Sequence, residues 1–314
     1  MIDHASGSIL VTGAAGFVGQ HVVAKLLTRG RQVVAIEHRR PMPEELRSRC
    51  QHVLTADLCD KGTQREALRD VHTICHLAAY IPPGMDDLSS AALCYRINAE
   101  MTLELATGAA ANGVQRFVHL STGNMYASSA TPCIESESVF PSGHGTGYFA
   151  SKFAAELYLT HLGRITGMQT VILRIGTPYG PGEPANKVVP TFLRLAHQRQ
   201  ALRLVNGGCA RLNFVHVSDV ADCIVEAVET GPDGIYNVAS GEHTSLLQLA
   251  DSIVTLFGGC EVPLHVEPPT SDAFPGFPPV SIDKAIRTWN YAPRSLAQGL
   301  SDYYSVLAKG AFRT

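Results

Sequence analysis

The chain has 314 residues, of which 45% are hydrophobic and 17% charged, so it can bury a large core and has no signature of disorder. A formal charge of −3 leaves no basic excess for nucleic acid or an anionic membrane, and neither is expected as a partner. No apolar run reaches the ~18 residues of a membrane span, and Met1 to Ser8 lacks the basic and apolar regions of a signal peptide, so a cytoplasmic location is expected.

Taken in order, Ser8 to Thr12 reads as a short buried parallel strand, followed by Gly13-Ala14-Ala15-Gly16-Phe17-Val18-Gly19 and a helix ending near Gly30. A glycine turn between a strand and a helix lets the backbone approach a pyrophosphate. The helix N-terminus then offers unpaired N–H groups and a positive dipole end. The second strand, Gln32 to Ile36, ends in Glu37, where a carboxylate accepts hydrogen bonds from an adenosine ribose and repels a 2′-phosphate. NAD is therefore expected in preference to NADP, although His38-Arg39-Arg40 follow at once and offer cations to a 2′-phosphate.

A third strand, His52 to Ala56, leads to Asp57-Leu58, placed beside the adenine. The fourth, Val71 to Leu77, runs into Ala78-Ala79, whose small side chains let the chain pass close to the cofactor. Asn98 is expected to open a long helix that Gly113 stops. The fifth strand, Arg116 to Leu120, delivers Ser121-Thr122 to the edge where open α/β sheets bind ligands. Eight cysteines and thirteen histidines are dispersed without a Cys-x-x-Cys pair, and no metal site is expected.

Tyr148 and Lys152 stand four residues apart on a predicted helix, on one face and one turn apart. A phenol with a pKa near ~10 needs about 4 kcal/mol of phenolate stabilisation to act near neutrality. A nearby ammonium and a cationic nicotinamide ring supply it. Phe149, Phe153 and Leu157 make an apolar stripe on the same helix. Beyond Gly176 the chain builds a smaller lobe rich in Pro and Gly. The expected division is a dinucleotide-binding core over 1–175 and 212–240 and a substrate lobe over 176–211 and 241–314.

These stretches, together with Leu173-Arg174, Tyr179-Gly180-Pro181-Gly182, Asn213 to Ala221 and Tyr236-Asn237-Val238, resemble the extended short-chain dehydrogenase/reductases. That group comprises the NAD-dependent sugar epimerases, dehydratases and reductases typified by UDP-galactose 4-epimerase. The resemblance covers nearly the whole chain. It implies an α/β fold with a doubly wound parallel sheet and a smaller C-terminal lobe, NAD as cofactor, a sugar substrate linked to a nucleotide, and a homodimer formed through the Tyr148 helix and the helix after Asn98. It also implies that Tyr148 is the general base or acid, that Lys152 holds the nicotinamide ribose and lowers the tyrosine pKa, and that Thr122 orients the reacting oxygen. By the same resemblance Ile175 faces the cofactor.

Dehydratases of the group carry two carboxylates after the threonine, whereas this chain reads Thr122-Gly123-Asn124, which leaves elimination without a proton carrier. Epimerisation at C4 of a nucleotide sugar is therefore the expected activity. A dehydrogenase or ketoreductase of a nucleotide sugar, a simpler sugar or a polyol is the alternative, and a non-catalytic dinucleotide sensor a remoter one. On the substrate side Thr177 replaces a usual Asn, and Leu212 replaces a usual Arg with Arg211 one position early. The second usual Arg is missing from Pro268 to Pro279. Asn124, His144, Thr177, Lys187 and Arg211 are the candidate substrate contacts, and Gly143 to Gly147 brings flexible backbone close to Tyr148.

Overall fold

The computed structural model describes residues 7–85, 87–140, 144–258, 262–270 and 274–310. The readings placed on Met1 to Ser6, on Gly143 and on one of the eight cysteines, Cys260, lie outside these residues.

In chain order the elements are β1 (Ser8–Thr12), α1 (Phe17–Thr28), β2 (Val33–Glu37), α2 (Glu44–Arg47), β3 (His52–Thr55), α3 (Lys61–Ala67) and β4 (Val71–His76). Then come α4 (Leu88–Cys94), a π-helical turn at Tyr95–Glu100, α5 (Met101–Ala111), β5 (Arg116–Thr122), α6 (Thr146–Thr166) and β6 (Gln169–Ile175). The second part adds β7 (Thr177–Tyr179), α7 (Val188–His197), β8 (Leu202–Leu204), β9 (Arg211–Leu212), β10 (Phe214–His216), α8 (Val217–Glu229) and β11 (Gly234–Val238). It ends with β12 (Thr244–Ser245), α9 (Leu246–Leu256), β13 (Leu264–Val266), α10 (Asp283–Trp289) and α11 (Leu296–Gly310).

Seven strands form one parallel sheet in the order β11-β6-β5-β4-β1-β2-β3. The order reverses between β1 and β4, and such a switch point opens a crevice beyond the carboxyl ends of the strands. Register decides what lines it. Thr12 lies opposite Ile36 on one side and His76 on the other, so the Gly13 turn, Glu37 and the Leu77-Ala78-Ala79 segment share one edge. Thr122 lies opposite Ile175 on the same edge.

Both faces of the sheet are covered, which is why β1 and β2 are buried along their whole length. Val22, Val23 and Leu26 of α1 and Val220, Ile224 and Val228 of α8 pack on one face. Leu105 and Ala109 of α5 and Leu159 and Leu162 of α6 pack on the other. Each fully buried side chain of this size contributes ~1.5–3 kcal/mol relative to exposure. A separate cluster joins Phe192 and Leu193 of α7, Leu249 and Ile253 of α9 and Leu300 and Tyr303 of α11. It sits under three two-stranded pairs, β10 with β7, β12 with β9 and β13 with β8.

Two expectations change. Val280, Ile282, Ala285 and Tyr291, assigned from sequence to the smaller lobe, join the cluster on the α1/α8 face because α10 returns its apolar side to the sheet. Asn98 does not open a helix either. It lies inside the π-helical turn that joins α4 to α5 without a break. No helix among the described residues is long and apolar enough to cross a membrane, and no cluster of metal-binding side chains is found among them.

Candidate active site

The crevice is built first by backbone. Gly13 has φ +67°, and a Cβ there would meet the backbone of Ala78. At Gly19 a Cβ would collide with the carbonyl oxygen of Gly13, so only glycine lets α1 start this close to β1. Gly16 is the N-cap of α1 and brings no side chain to cap it. The first-turn N–H groups at Phe17 and Val18 therefore face the crevice with the positive end of the helix behind them, which fits a pyrophosphate. Ala78 donates its N–H to Thr12 Oγ1 at 3.2 Å, and Thr12 Oγ1 is 2.8 Å from His76 Nδ1. Ala79 is exposed beside them, Leu58 is buried, and Asp57 sits exposed on the rim.

Glu37 takes a different place from the one expected. Its side chain is 2% exposed. Oε2 accepts the N–H of Met42 at 2.9 Å, while Oε1 accepts Thr55 Oγ1 at 2.9 Å and Arg47 Nε at 3.2 Å. Burial works to raise its pKa, but the contacts from Met42, Thr55 and Arg47 outweigh it and hold the carboxyl below the ordinary range. These contacts anchor the loop after β2.

The chemical pair stands on α6. Tyr148 is half-buried in the first turn, and Lys152 is buried one turn later on the same face. Glu156, a further turn on, accepts a hydrogen bond from Ser121 Oγ at 2.5 Å, which ties this face of α6 to the end of β5. Thr122 follows at that strand end, buried, its Oγ1 accepting the N–H of Asn124 at 3.2 Å. Ile175, opposite Thr122, closes the edge. Asn98 pins the other flank. It bridges Tyr80 N–H at 2.7 Å, Tyr80 C=O at 3.0 Å and Ser151 Oγ at 3.1 Å, and Ser151 Oγ donates to the Tyr148 carbonyl at 2.7 Å. A π-helical turn, rare and frequent at functional sites, thus brings a side chain to α6.

Burial dominates the electrostatics here. Burial, with Cys94 adding to it, pushes Tyr148 up to about 12. Burial likewise pushes Lys152 down to about 7, against the pull of Glu156. Among the described residues no side chain makes a hydrogen bond to Lys152. The pull of Glu156 on it is electrostatic, and ribose hydroxyls would supply hydrogen bonds. Beneath it, His76 is held to about 3 by burial and by Lys152, and His119 is held well below its ordinary value by burial, Lys152 and His76. Both imidazoles are therefore neutral.

Sequence reasoning missed the support of this pair. Glu156 receives Arg174 through Nε at 3.1 Å and Nη2 at 2.7 Å, both groups nearly inaccessible. Arg174 also donates to Tyr126 Oη at 2.8 Å, and Tyr126 donates to Asn237 Oδ1 at 2.8 Å. The signal was present, since Glu156 continues the four-residue spacing of Tyr148 and Lys152.

The substrate candidates scatter more. Asn124 Oδ1 and Thr177 Oγ1 are buried with no hydrogen-bond partner among the described residues, as fits groups meant for a ligand. Arg211 Nη1 donates to the His243 carbonyl at 2.6 Å, which turns it toward the surface. Lys187 is exposed at the N-cap of α7, where its charge acts on Glu183. The exposed His144 ring lies 5.5 Å from Phe274, which continues through Phe277 to Phe149 next to Tyr148. Sequence reading did not anticipate this aromatic wall, because residues 274 and 277 reach α6 only through the tertiary fold.

A doubly wound sheet with a glycine cradle at its switch point and a Tyr/Lys pair at its carboxyl edge defines a dinucleotide-dependent enzyme. The chain belongs to the NAD dependent epimerase/dehydratase family, which it matches over residues 9–239. NAD is the cofactor of that family. A curated relative, the dTDP-4-dehydro-6-deoxy-D-allose reductase of a Streptomyces species, is 28% identical over 269 residues, which is 81% of this chain and 82% of that protein. The structure of UDP-glucose 4-epimerase from Thermotoga maritima with UDP-glucose aligns with a TM-score of 0.85 and 25% identity, covering 96% of this chain and 99% of that one. UDP-glucuronic acid 4-epimerase from Bacillus cereus, in complex with UDP-glucuronic acid and NAD, aligns with a TM-score of 0.83, 25% identity and the same coverage.

Proposed function

We propose that the chain is an NAD-dependent nucleotide-sugar 4-epimerase that oxidises and re-reduces one carbinol carbon through a transient 4-keto sugar. The observation that carries this reading is the buried Lys152 one turn from Tyr148 on α6, at the edge where Thr122 ends β5. NAD bound in the glycine cradle supplies the acceptor and later the donor of the hydride. Tyr148 Oη takes the proton of the substrate hydroxyl as the carbon is oxidised and returns it when the carbon is reduced. Lys152 binds ribose hydroxyls and favours the phenolate electrostatically, reversing the upward push that burial alone exerts on Tyr148. Thr122 Oγ1 accepts from the Asn124 N–H, which leaves its own O–H to align the reacting oxygen. Gly123 and Asn124 bring neither acid nor base, which argues against elimination.

Tyr148→Phe is expected to lower kcat by ~10²–10⁴ while NAD⁺ affinity is kept. Undiminished turnover would refute the assignment. In an epimerase, NAD stays bound and is regenerated each cycle, so interconversion of C4 epimers without net NADH formation is the expected readout.

A second reading, a dehydrogenase or ketoreductase of a smaller sugar or polyol, is favoured by Leu212 and by the Arg211 guanidinium engaged with His243, which leave the diphosphate side short of cations. Stoichiometric consumption of the cofactor would select it. Self-association as a homodimer is supported by the exposed apolar side chains Leu157, Tyr158 and Ile165 on α6 and by Leu93 and Tyr95 around the π turn. The free thiols of Cys50, Cys59, Cys75, Cys94, Cys133, Cys209 and Cys223 support a reducing, cytoplasmic setting.

A further inference from the structure

We infer that Arg174 is a positioning residue for Lys152: it holds the Glu156 carboxylate against the sheet, so that Glu156 supports the Lys152 charge from one turn away without capturing the ammonium that the nicotinamide ribose needs. The inference rests on the reading of Lys152 as the group that holds that ribose. Lys152 and Glu156 stand four residues apart on one face of α6, and both are buried. A Lys and a Glu at that spacing lie within reach of each other, and their attraction is stronger in the interior than in water. Left to themselves, the two would close into an ion pair. Among the described residues no hydrogen bond or ion pair joins them.

Glu156 is taken up from the strands instead. Its Oε1 accepts Ser121 Oγ at 2.5 Å from the end of β5 and Arg174 Nε at 3.1 Å from β6, and its Oε2 accepts Arg174 Nε at 3.1 Å and Nη2 at 2.7 Å. A guanidinium fork engages both carboxylate oxygens at once, which one ammonium cannot do, so Arg174 wins the carboxylate. Nor is Arg174 free to follow Glu156 toward the crevice, because its Nη1 donates to Tyr126 Oη at 2.8 Å and to the Glu135 carbonyl at 3.2 Å. Tyr126 donates in turn to Asn237 Oδ1 at 2.8 Å, and Asn237 Nδ2 donates to the Cys133 and Ser281 carbonyls at 3.0 and 3.1 Å. At a distance the Glu156 charge still works against the burial that lowers the pKa of Lys152. The groups around it do not rival that pull: His76 on β4 and His119 on β5 are neutral, and burial keeps Tyr148, with Cys94 of α4 beside it, in the phenol form.

The test is isothermal titration of NAD⁺ into the full chain freed of bound nucleotide, at a temperature where each variant is folded by circular dichroism. Arg174→Gln releases Glu156 and is expected to weaken NAD⁺ by about tenfold or more, and Arg174→Lys, which keeps the charge and loses the fork, by about threefold to tenfold. Arg174→Gln combined with Glu156→Gln removes the restraint and the carboxylate together. The amine then keeps its N–H groups for the ribose, and the Kd is expected to return to within about threefold of wild type. A role in the fold alone would lower Tm in the single variants and leave their NAD⁺ Kd unchanged, and that result overturns the inference. So does a double variant that binds as weakly as Arg174→Gln. Where the glutamine variant does not fold, Arg174→Lys decides, and an unchanged Kd overturns the inference. Lys152→Met tests the reading beneath it: a loss of about tenfold or more in NAD⁺ affinity upholds that reading, whereas an unchanged Kd refutes it and this inference with it.

Discussion

The two sides of the crevice are made by different means. On the cofactor side the determinants are absences: no Cβ at Gly13 or Gly19, no capping side chain at Gly16, small residues at Ala78 and Ala79. On the proposed substrate side they are presences, namely the Asn124 and Thr177 oxygens, which have no hydrogen-bond partner among the described residues, the Phe274 and Phe277 rings, and an Arg211 that points elsewhere. A backbone demand has one solution. A side-chain demand has many.

The sharpest way to break this contrast is on the backbone side. Gly19→Val is expected to push the glycine turn away from α1 and to cost about 3 kcal/mol of cofactor binding, roughly a hundredfold in NAD⁺ Kd by calorimetry. An unchanged Kd would mean that the cradle is plastic.

An intermediate effect is expected at the hinge between the two sides. Lys152→Met removes an amine whose charged form burial disfavours, and the cofactor-free chain is expected to gain ~1–4 kcal/mol in chemical denaturation even as activity is lost. The pH dependence fixes the cause. With the folded amine near about 7 and the unfolded one at the ordinary lysine value, the unfolded chain holds more protons between those limits. Wild-type stability therefore rises with pH across that window, and the gap to the Met variant narrows. A gap independent of pH would exclude the lysine as its source.

The smallest effect belongs to the substrate side. Asn124→Ala is expected to raise KM by about tenfold or less, with NAD⁺ affinity and Tm unchanged, since its Oδ1 has no hydrogen-bond partner among the described residues. A fall in Tm would show that Asn124 serves the fold instead.

What could be read from sequence follows the same division. The glycine turn, Ser121-Thr122 and the Tyr148/Lys152 spacing were legible because each is a local pattern that survives any tertiary context. Three features were not. The direction of the Tyr148 and Lys152 shifts depends on burial, which no four-residue spacing reveals. The inward turn of Glu37 depends on Met42, Arg47 and Thr55 meeting it from three other segments. The return of residues 280–291 to the sheet depends on a packing choice of α10 that its few apolar residues do not announce.

The wide turn at Tyr95–Glu100 carries one more implication. A loosened coil between two tighter ones changes the angular phase of everything upstream. The Leu88–Cys94 segment, whose Ala91 borders Gly147 at the start of α6, is thereby freed from the periodicity that Met101, Leu105 and Ala109 obey to stay in the core. Shortening Tyr95–Glu100 by a single residue would restore an ordinary coil, swing Ala91 and Cys94 around its axis and unseat the Asn98 bridge. The neighbourhood of the Tyr148 phenol would be rebuilt with every core contact of α5 intact.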